Sequence, residues 1–345
     1  MTIGKRLTIH AACGLALIVL TPPSTTHAQD IVRLLNPNTG KTYAVSGKIV
    51  DYSGTVIVVR SVSGSEKMFD PAHVQSFDTQ WTPAHQAGRD LLLVGKYQEA
   101  LAKLQEAFAN ESSPDRRWVQ RVVLSEIVSC LTALGNTEPA GNVFLKLVKL
   151  DPQTPWFSCI PLAWRPQEPS LVLSRQAETW LADRELAASR LLGASWLLPT
   201  RHRSSAIAEL QKLSVDTDRR IAQLATAQLW RTKLTSARQA DVERWQRALE
   251  AMPEDLTAGP YFVLGRALAR LKQHEAAALA LMRPPILLPE RCDLAAAALI
   301  EAAGQLSRLG QDRGAARLYR EVIAEHPGPA ADEAKQLLES MVTEE

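Results

Sequence analysis

The sequence predicts a mainly α protein: a solenoid of stacked helix pairs preceded by a small β-barrel-like module. Three observations carry that prediction. Between residues 30 and about 78, β-branched residues gather in short runs separated by glycine-bearing turns. From Trp81 onward the pattern becomes helical, rich in Leu, Ala, Glu, Gln and Arg. Within that second stretch one arrangement of glycine, alanine and aromatic residues recurs. The chain has 345 residues, of which 46% are hydrophobic and 22% charged, so it can bury a core and does not read as disordered.

Residues 1–28 read as a secretory signal. Lys5 and Arg6 precede an apolar stretch from Ala11 to Leu20, and a polar run ends at Thr26-His27-Ala28, which suits a signal peptidase. The stretch is far short of the roughly 20 residues a membrane-spanning helix needs. Cys13 lies inside it and His10 stands where a lipid-anchor signal wants Leu, so a lipid anchor is not expected. Cleavage after Ala28 makes the protein exported, periplasmic or secreted. It also leaves 37 basic residues against 37 acidic ones. Zero net charge argues against nucleic acid as a partner and against electrostatic membrane adhesion.

Residues 30–80 form the predicted β module. KTYAVSGKIVDY reads as a strand broken at Gly47, and TVIVVR (55–60), EKMFD and AHVQSF as three more, with turns at Asp51–Gly54 and Ser63–Ser65. The strand and turn order resembles the SH3-like and Sm-like barrels of exported bacterial proteins. Such a module either binds peptide or caps the helices behind it. NPNTGKT (36–42) is not a phosphate loop: Leu35 stands where the first glycine is needed, and a strand follows instead of a helix.

The repeats begin at Trp81. The clearest unit, 81–114, carries Gly88, Leu91, Gly95, Tyr97, Ala100, Leu104 and Ala107, and its string VGKYQEALAKLQEA resembles the tetratricopeptide repeat. In that family a small residue lets two antiparallel helices approach, a glycine ends the first, an aromatic and an alanine start the second, and proline closes it. The glycine-to-alanine step recurs as Gly135–Ala140 with Phe144 and Pro152, and as Gly310–Ala315 with Tyr319 and Pro327. Lys272–Ala277 has the same step with lysine in the glycine position, behind Tyr261, Leu264, Gly265 and Leu268. Leu192-Gly193 with Ala206, and Trp245, Ala248 with Pro253, mark fainter units. The units span 81–114, 121–154, 186–220, 222–255, 258–291 and 296–329, with a capping helix from Ala330 to Met341. Two blocks of repeats, 81–154 and 186–345, flank residues 155–185, a Pro/Trp-rich insertion and a connecting helix.

Five prolines in PQTPWFSCIPLAWRPQEP (152–169) forbid a helix there. Trp156, Phe157 and Trp164 are too apolar for a solvated linker, so the segment either plugs the adjacent repeats or forms a partner-binding loop. Cys130, Cys159 and Cys292 remain after export; Cys130 and Cys159 are close enough in order for a disulfide, the alternative being two reduced buried thiols.

The sequence carries no GxSxG, no HExxH and no metal-spaced Cys/His set, which points away from an enzyme, a metal or a cofactor. The expected function is a scaffold or adaptor that binds a protein or peptide in the groove of the array; a structural or accessory role in the cell envelope is the alternative. The tetratricopeptide resemblance puts the first helix of each pair on the inner surface. Those helices carry Arg89, Trp230, Lys233, Arg266, Arg270 and Arg308. Arg266 and Arg270 share one helix face, and with Arg308 they are candidates to grip an acidic or carboxyl-terminal peptide, with Trp230 as an apolar contact. The alternative is a solvated face, or arginines paired with Glu301 and other acids of the array.

Overall fold

The computed structural model describes residues 29–111, 113, 116–287, 292–326 and 328–343. The expected signal segment, Pro114 and Pro327 lie outside them. Five strands open the described chain: β1 (Asp30–Leu35), β2 (Thr42–Tyr52), β3 (Ile57–Arg60), β4 (Glu66–Phe69) and β5 (Val74–Asp78). They form one antiparallel sheet in the order β4-β3-β2-β1-β5. The four expected strands are present, and β1 is the addition. Its alternation turns only Val32 and Leu34 fully inward, too short a signal without its neighbours β2 and β5.

The break expected at Gly47 is a corner, not an end. Up to Gly47, β2 pairs with β1; from Lys48 it pairs with β3. A Cβ at Gly47 would collide with the carbonyl of Arg60, so glycine is what lets the strand change partner there. Val32, Leu34, Ile49, Ile57 and Val59 fill the inside.

The rest is helical: α1 (Pro83–Leu93), α2 (Tyr97–Asn110), α3 (Arg117–Ala133), α4 (Thr137–Leu150), α5 (Leu171–Leu181), α6 (Ala187–Leu197), α7 (Arg203–Leu213), α8 (Arg219–Arg231), α9 (Gln239–Glu250), α10 (Ala258–Arg270), α11 (His274–Leu281), α12 (Arg283–Leu287), α13 (Cys292–Arg308), α14 (Asp312–Glu325) and α15 (Pro329–Thr343). The first helix starts where Thr82 accepts the amide of His85 at 3.3 Å and Pro83 takes the first turn. Helices adjacent in sequence pack as neighbours: α1 with α2, α3 with α4, α10 with α11, α13 with α14, and α14 with the expected capping helix α15.

One turn geometry joins the first four of those pairs. Gly95, Gly135 and Gly310 have φ of 72°, 74° and 72°, and Lys272 adopts 60° in the same place. In each, the next amide reaches back to a carbonyl five residues earlier, as Lys96 does to Leu91 at 2.9 Å and Gln273 to Leu268 at 3.0 Å. Ala100, Ala140, Ala277 and Ala315, the alanines of the recurring step, are all at 0% exposure. Their small side chains let the second helix lie close on the first.

The middle differs from the expected units. Gly193 of α6 fits against the Ala177 carbonyl and the Leu181 amide of α5. The pair containing α6 therefore begins at Leu171, and α5, expected as a connecting helix, is its packing partner. The β module packs on α3: Trp118 donates to the carbonyl of Ile49 at 3.2 Å, and Arg121 binds the Asp51 carboxylate and the Tyr52 carbonyl. Among the described residues no helix is long and apolar enough to cross a membrane.

Candidate partner-binding groove

The chain between α4 and α5 has no regular structure except one 3-10 turn, Phe157–Cys159. Its prolines deny it a helix and its apolar residues deny it solvent. Phe157, Ile160, Leu162, Ala163 and Trp164 are all buried. A buried extended backbone must find hydrogen-bond partners, and here helix side chains supply them.

The densest contacts are at Ala163. Its amide donates to Ser195 Oγ at 2.9 Å, and its carbonyl accepts from Gln228 Nε2 at 3.1 Å. Ser195 and Gln228 bond each other at 3.0 Å, and both have no exposed surface at 0%. Trp196 Nε1 donates to the Pro161 carbonyl at 2.9 Å. Arg231 reaches the Arg165 carbonyl at 3.4 Å and the Ser195 carbonyl at 3.0 Å, and also bonds Gln228 Oε1. Upstream, Arg220 donates to the carbonyls of Pro152 at 2.7 Å and Thr154 at 3.0 Å while its guanidinium lies 4.2 Å over the Phe157 ring. Trp164 lies flush against Gly259 at the start of α10, where any Cβ would strike the indole.

Helices α6, α8, α10, α13 and α3 thus surround the segment. They do not enclose it completely. A cavity of about 220 Å³ remains, lined by Thr132, Pro161–Arg165, Trp196 and Leu294 among others. The buried hydroxyl of Thr132 has no hydrogen-bond partner among the described residues.

Arg231 has positive neighbours. Arg231 is pushed down to about 10, first by burial and then by the positive charges of Arg266 and Arg203, yet it stays charged at neutral pH. Glu301 is raised by burial, an effect opposed by Arg266 and Arg165 and reinforced by Glu333. Arg266 Nε sits 3.3 Å from Glu301.

The predicted residues fall into three groups. Trp230 is corrected: it is 5% exposed and stacked 5.1 Å from Trp245, so it is core and offers a partner nothing. Arg266 is committed to Glu301, Arg308 donates to Gln305 at 3.3 Å, and Arg89 binds Glu126 at 3.2 Å beneath a stack on Trp81. Lys233 and Arg270 are exposed. A free, convergent grip of Arg266, Arg270 and Arg308 is therefore not formed, because an acid of α13 holds Arg266 and an amide of the same helix holds Arg308. Three histidines meet polar side chains: His85 Nε2 lies 2.7 Å from Glu126, His202 Nε2 3.1 Å from Glu178, and His274 Nδ1 2.9 Å from Gln305.

The plug reading of 152–169 describes what is seen. The residues that hold it, Ser195, Trp196, Gln228, Arg231 and Gly259, are not among those the sequence points to as a site. A buried proline-rich segment implies such donors, but it does not say which helix provides them. Of the two readings of Cys130 and Cys159, the disulfide is not formed. Cys130 is fully buried, and burial with the nearby Glu126 pushes its thiol up to about 12, so it behaves as a core residue. Among the described residues no group of three or more His, Cys, Asp or Glu side chains is arranged to hold a metal ion. No protein-family model and no curated protein matches the chain.

Proposed function

We propose that the protein is an exported scaffold without catalysis of its own, and that it binds a protein or peptide partner. In this reading the helix pairs stack as a tetratricopeptide-like solenoid, and the β module is a small barrel packed at its front. One observation supports it above the others. Helices far apart in sequence turn Ser195, Trp196, Gln228, Arg231 and Gly259 toward one extended stretch of polypeptide and hold it largely by its main chain. A surface of that kind suits polypeptide, because carbonyls and amides recur along any extended chain. The basic start, apolar run and small-residue end of residues 1–28 support export.

The test is cross-linking in the native host, followed by isolation of the protein from an envelope extract. Mass spectrometry is expected to find Gln29 at the amino terminus and one stoichiometric protein partner. An intact Met1 on envelope-located protein would sink export. Recovery of wall polymer instead of a protein would replace the adaptor reading with an envelope-structural one.

A further inference from the structure

We propose that the mature amino terminus is a modification site: once residues 1–28 are removed, Gln29 closes on itself to a pyroglutamyl ring that seals the start of β1. The inference rests on the export reading and adds the chemistry of the end that export leaves.

The residues around the junction carry it. Gln29 is exposed, stands one residue before β1, and its side-chain amide has no hydrogen-bond partner among the described residues. Asp30 is the opposite. It is 7% exposed, pairs with Gly47, and its carboxylate accepts the amide of Ile49 at 2.7 Å. The fixed sheet therefore begins at Asp30, and the Gln29 side chain is free to take the geometry of a ring. Gln29 also borders an open cavity of about 580 Å³ together with Lys48, Arg60 and Arg116, so a ring there displaces no packed side chain.

The reaction needs no co-reactant. Cleavage after Ala28 gives Gln29 an α-amino group, which titrates at about 8 and so is partly neutral and nucleophilic at pH 7. Its nitrogen attacks the side-chain Cδ, the bond from Cδ to Nε2 breaks, and ammonia leaves with the proton that the α-nitrogen gives up. The product is a γ-lactam whose nitrogen carries no charge. The Gln29 carbonyl, already joined to Asp30, takes no part.

The consequence lies at Asp30. Strand β1 is inside the sheet, between β2 and β5, and the Asp30 carboxylate binds Ile49 just past the corner at Gly47 where β2 changes partner. Chain termini are where trimming concentrates. An aminopeptidase that removed Gln29 would place a new ammonium on Asp30 itself, where it competes with the Ile49 amide for the same carboxylate. A lactam offers such an enzyme no free amine. The ring thus protects a contact at the first residue of an interior strand.

The test is intact-mass measurement and amino-terminal sequencing of the mature protein from its native host, kept at neutral pH. The expected chain starts at residue 29 and is lighter by one ammonia than the chain with a free Gln29. It is expected to resist sequencing and a general aminopeptidase until a pyroglutamyl-specific peptidase exposes Asp30. Gln29→Ser, which cannot cyclise, is expected to keep a free amine, to lose residue 29 to the same aminopeptidase, and then to melt at a lower temperature than before digestion. A free, trimmable Gln29 in the parent would overturn the proposal and leave export standing. An unchanged melt after the variant is trimmed would overturn the protective role. A first residue other than 29 would overturn the proposal together with the cleavage site it rests on, and an intact Met1 would remove export as well.

Discussion

Lys272 sits at φ 60° in a turn where its counterparts Gly95, Gly135 and Gly310 are glycine. A side chain in that left-handed region costs about 1 kcal/mol. Lys272→Gly is therefore expected to raise stability by about 1 kcal/mol, read as a higher denaturation midpoint in urea with an unchanged slope. A fall in the midpoint would mean that the lysine side chain contributes more than its backbone costs. The pair around Ala163 obeys a different rule. Ser195→Ala leaves a buried amide without an acceptor, and Gln228→Ala leaves a buried carbonyl with only the longer contact from Ser195 Oγ at 3.4 Å, each expected to cost about 1–3 kcal/mol. Because Ser195 and Gln228 also bond each other, the double variant is expected to cost less than the sum of the two single ones. Strict additivity in the same urea titrations would refute the shared network.

At the scale of the element, α8 does the most to hold the segment, contributing Arg220, Gln228 and Arg231. Its start depends on Asp218, whose carboxylate accepts the amide of Arg220 at 2.9 Å and the Arg220 guanidinium at 2.7 Å. Burial alone would raise the Asp218 carboxyl, but its bonds and charge pairing with Arg220 outweigh that and hold it below its ordinary value of 3.8. A carboxyl lowered by folding binds protons more readily in the unfolded chain. Its stabilisation is therefore fully present above about pH 4 and is lost as pH falls through the lowered value. Asp218→Asn is expected to flatten the acid limb of the stability curve below about pH 4 and to leave its slope near pH 7 unchanged. An acid limb as steep as in the parent would assign it to other carboxylates. Gly193 shows why element partners were harder to read than elements. Its lack of a side chain was visible, yet whether it faced α5 or α7 depended on which helix came close.

For the whole molecule, the segment 152–167 acts as an internal tie. Its upstream end meets the β module, where Gly54 donates to Asp151 at 3.0 Å and Trp156 packs 5.2 Å from Tyr52. Its downstream end reaches α6, α8 and α10. Removing a large side chain at its centre should loosen both halves together. Trp164→Ala is expected to cost about 3–5 kcal/mol, and calorimetry of this variant is expected to resolve two transitions where the parent shows one. A single transition at an unchanged temperature would mean that the two halves are tied elsewhere.

The helical part of the fold was legible because it is written locally. Periodicity places the helices, and a residue able to adopt positive φ followed five positions later by alanine places each turn and close approach, even at Lys272, where the glycine is missing. Proline content likewise excluded a helix from 152–169, and its tryptophans excluded solvent. Partnership was not local. The strand β1 needed β2 and β5 beside it, and whether Arg266 would grip a peptide or pair with Glu301 stayed open until α13 met α10. Trp230 read as a possible contact until Trp245 covered it. Composition and spacing determine what each stretch of this chain can become. Only the folded chain decides which polar groups meet, because hydrogen bonds and ion pairs act over a few ångströms between residues that the sequence holds as much as 97 positions apart, as it does Gly54 and Asp151.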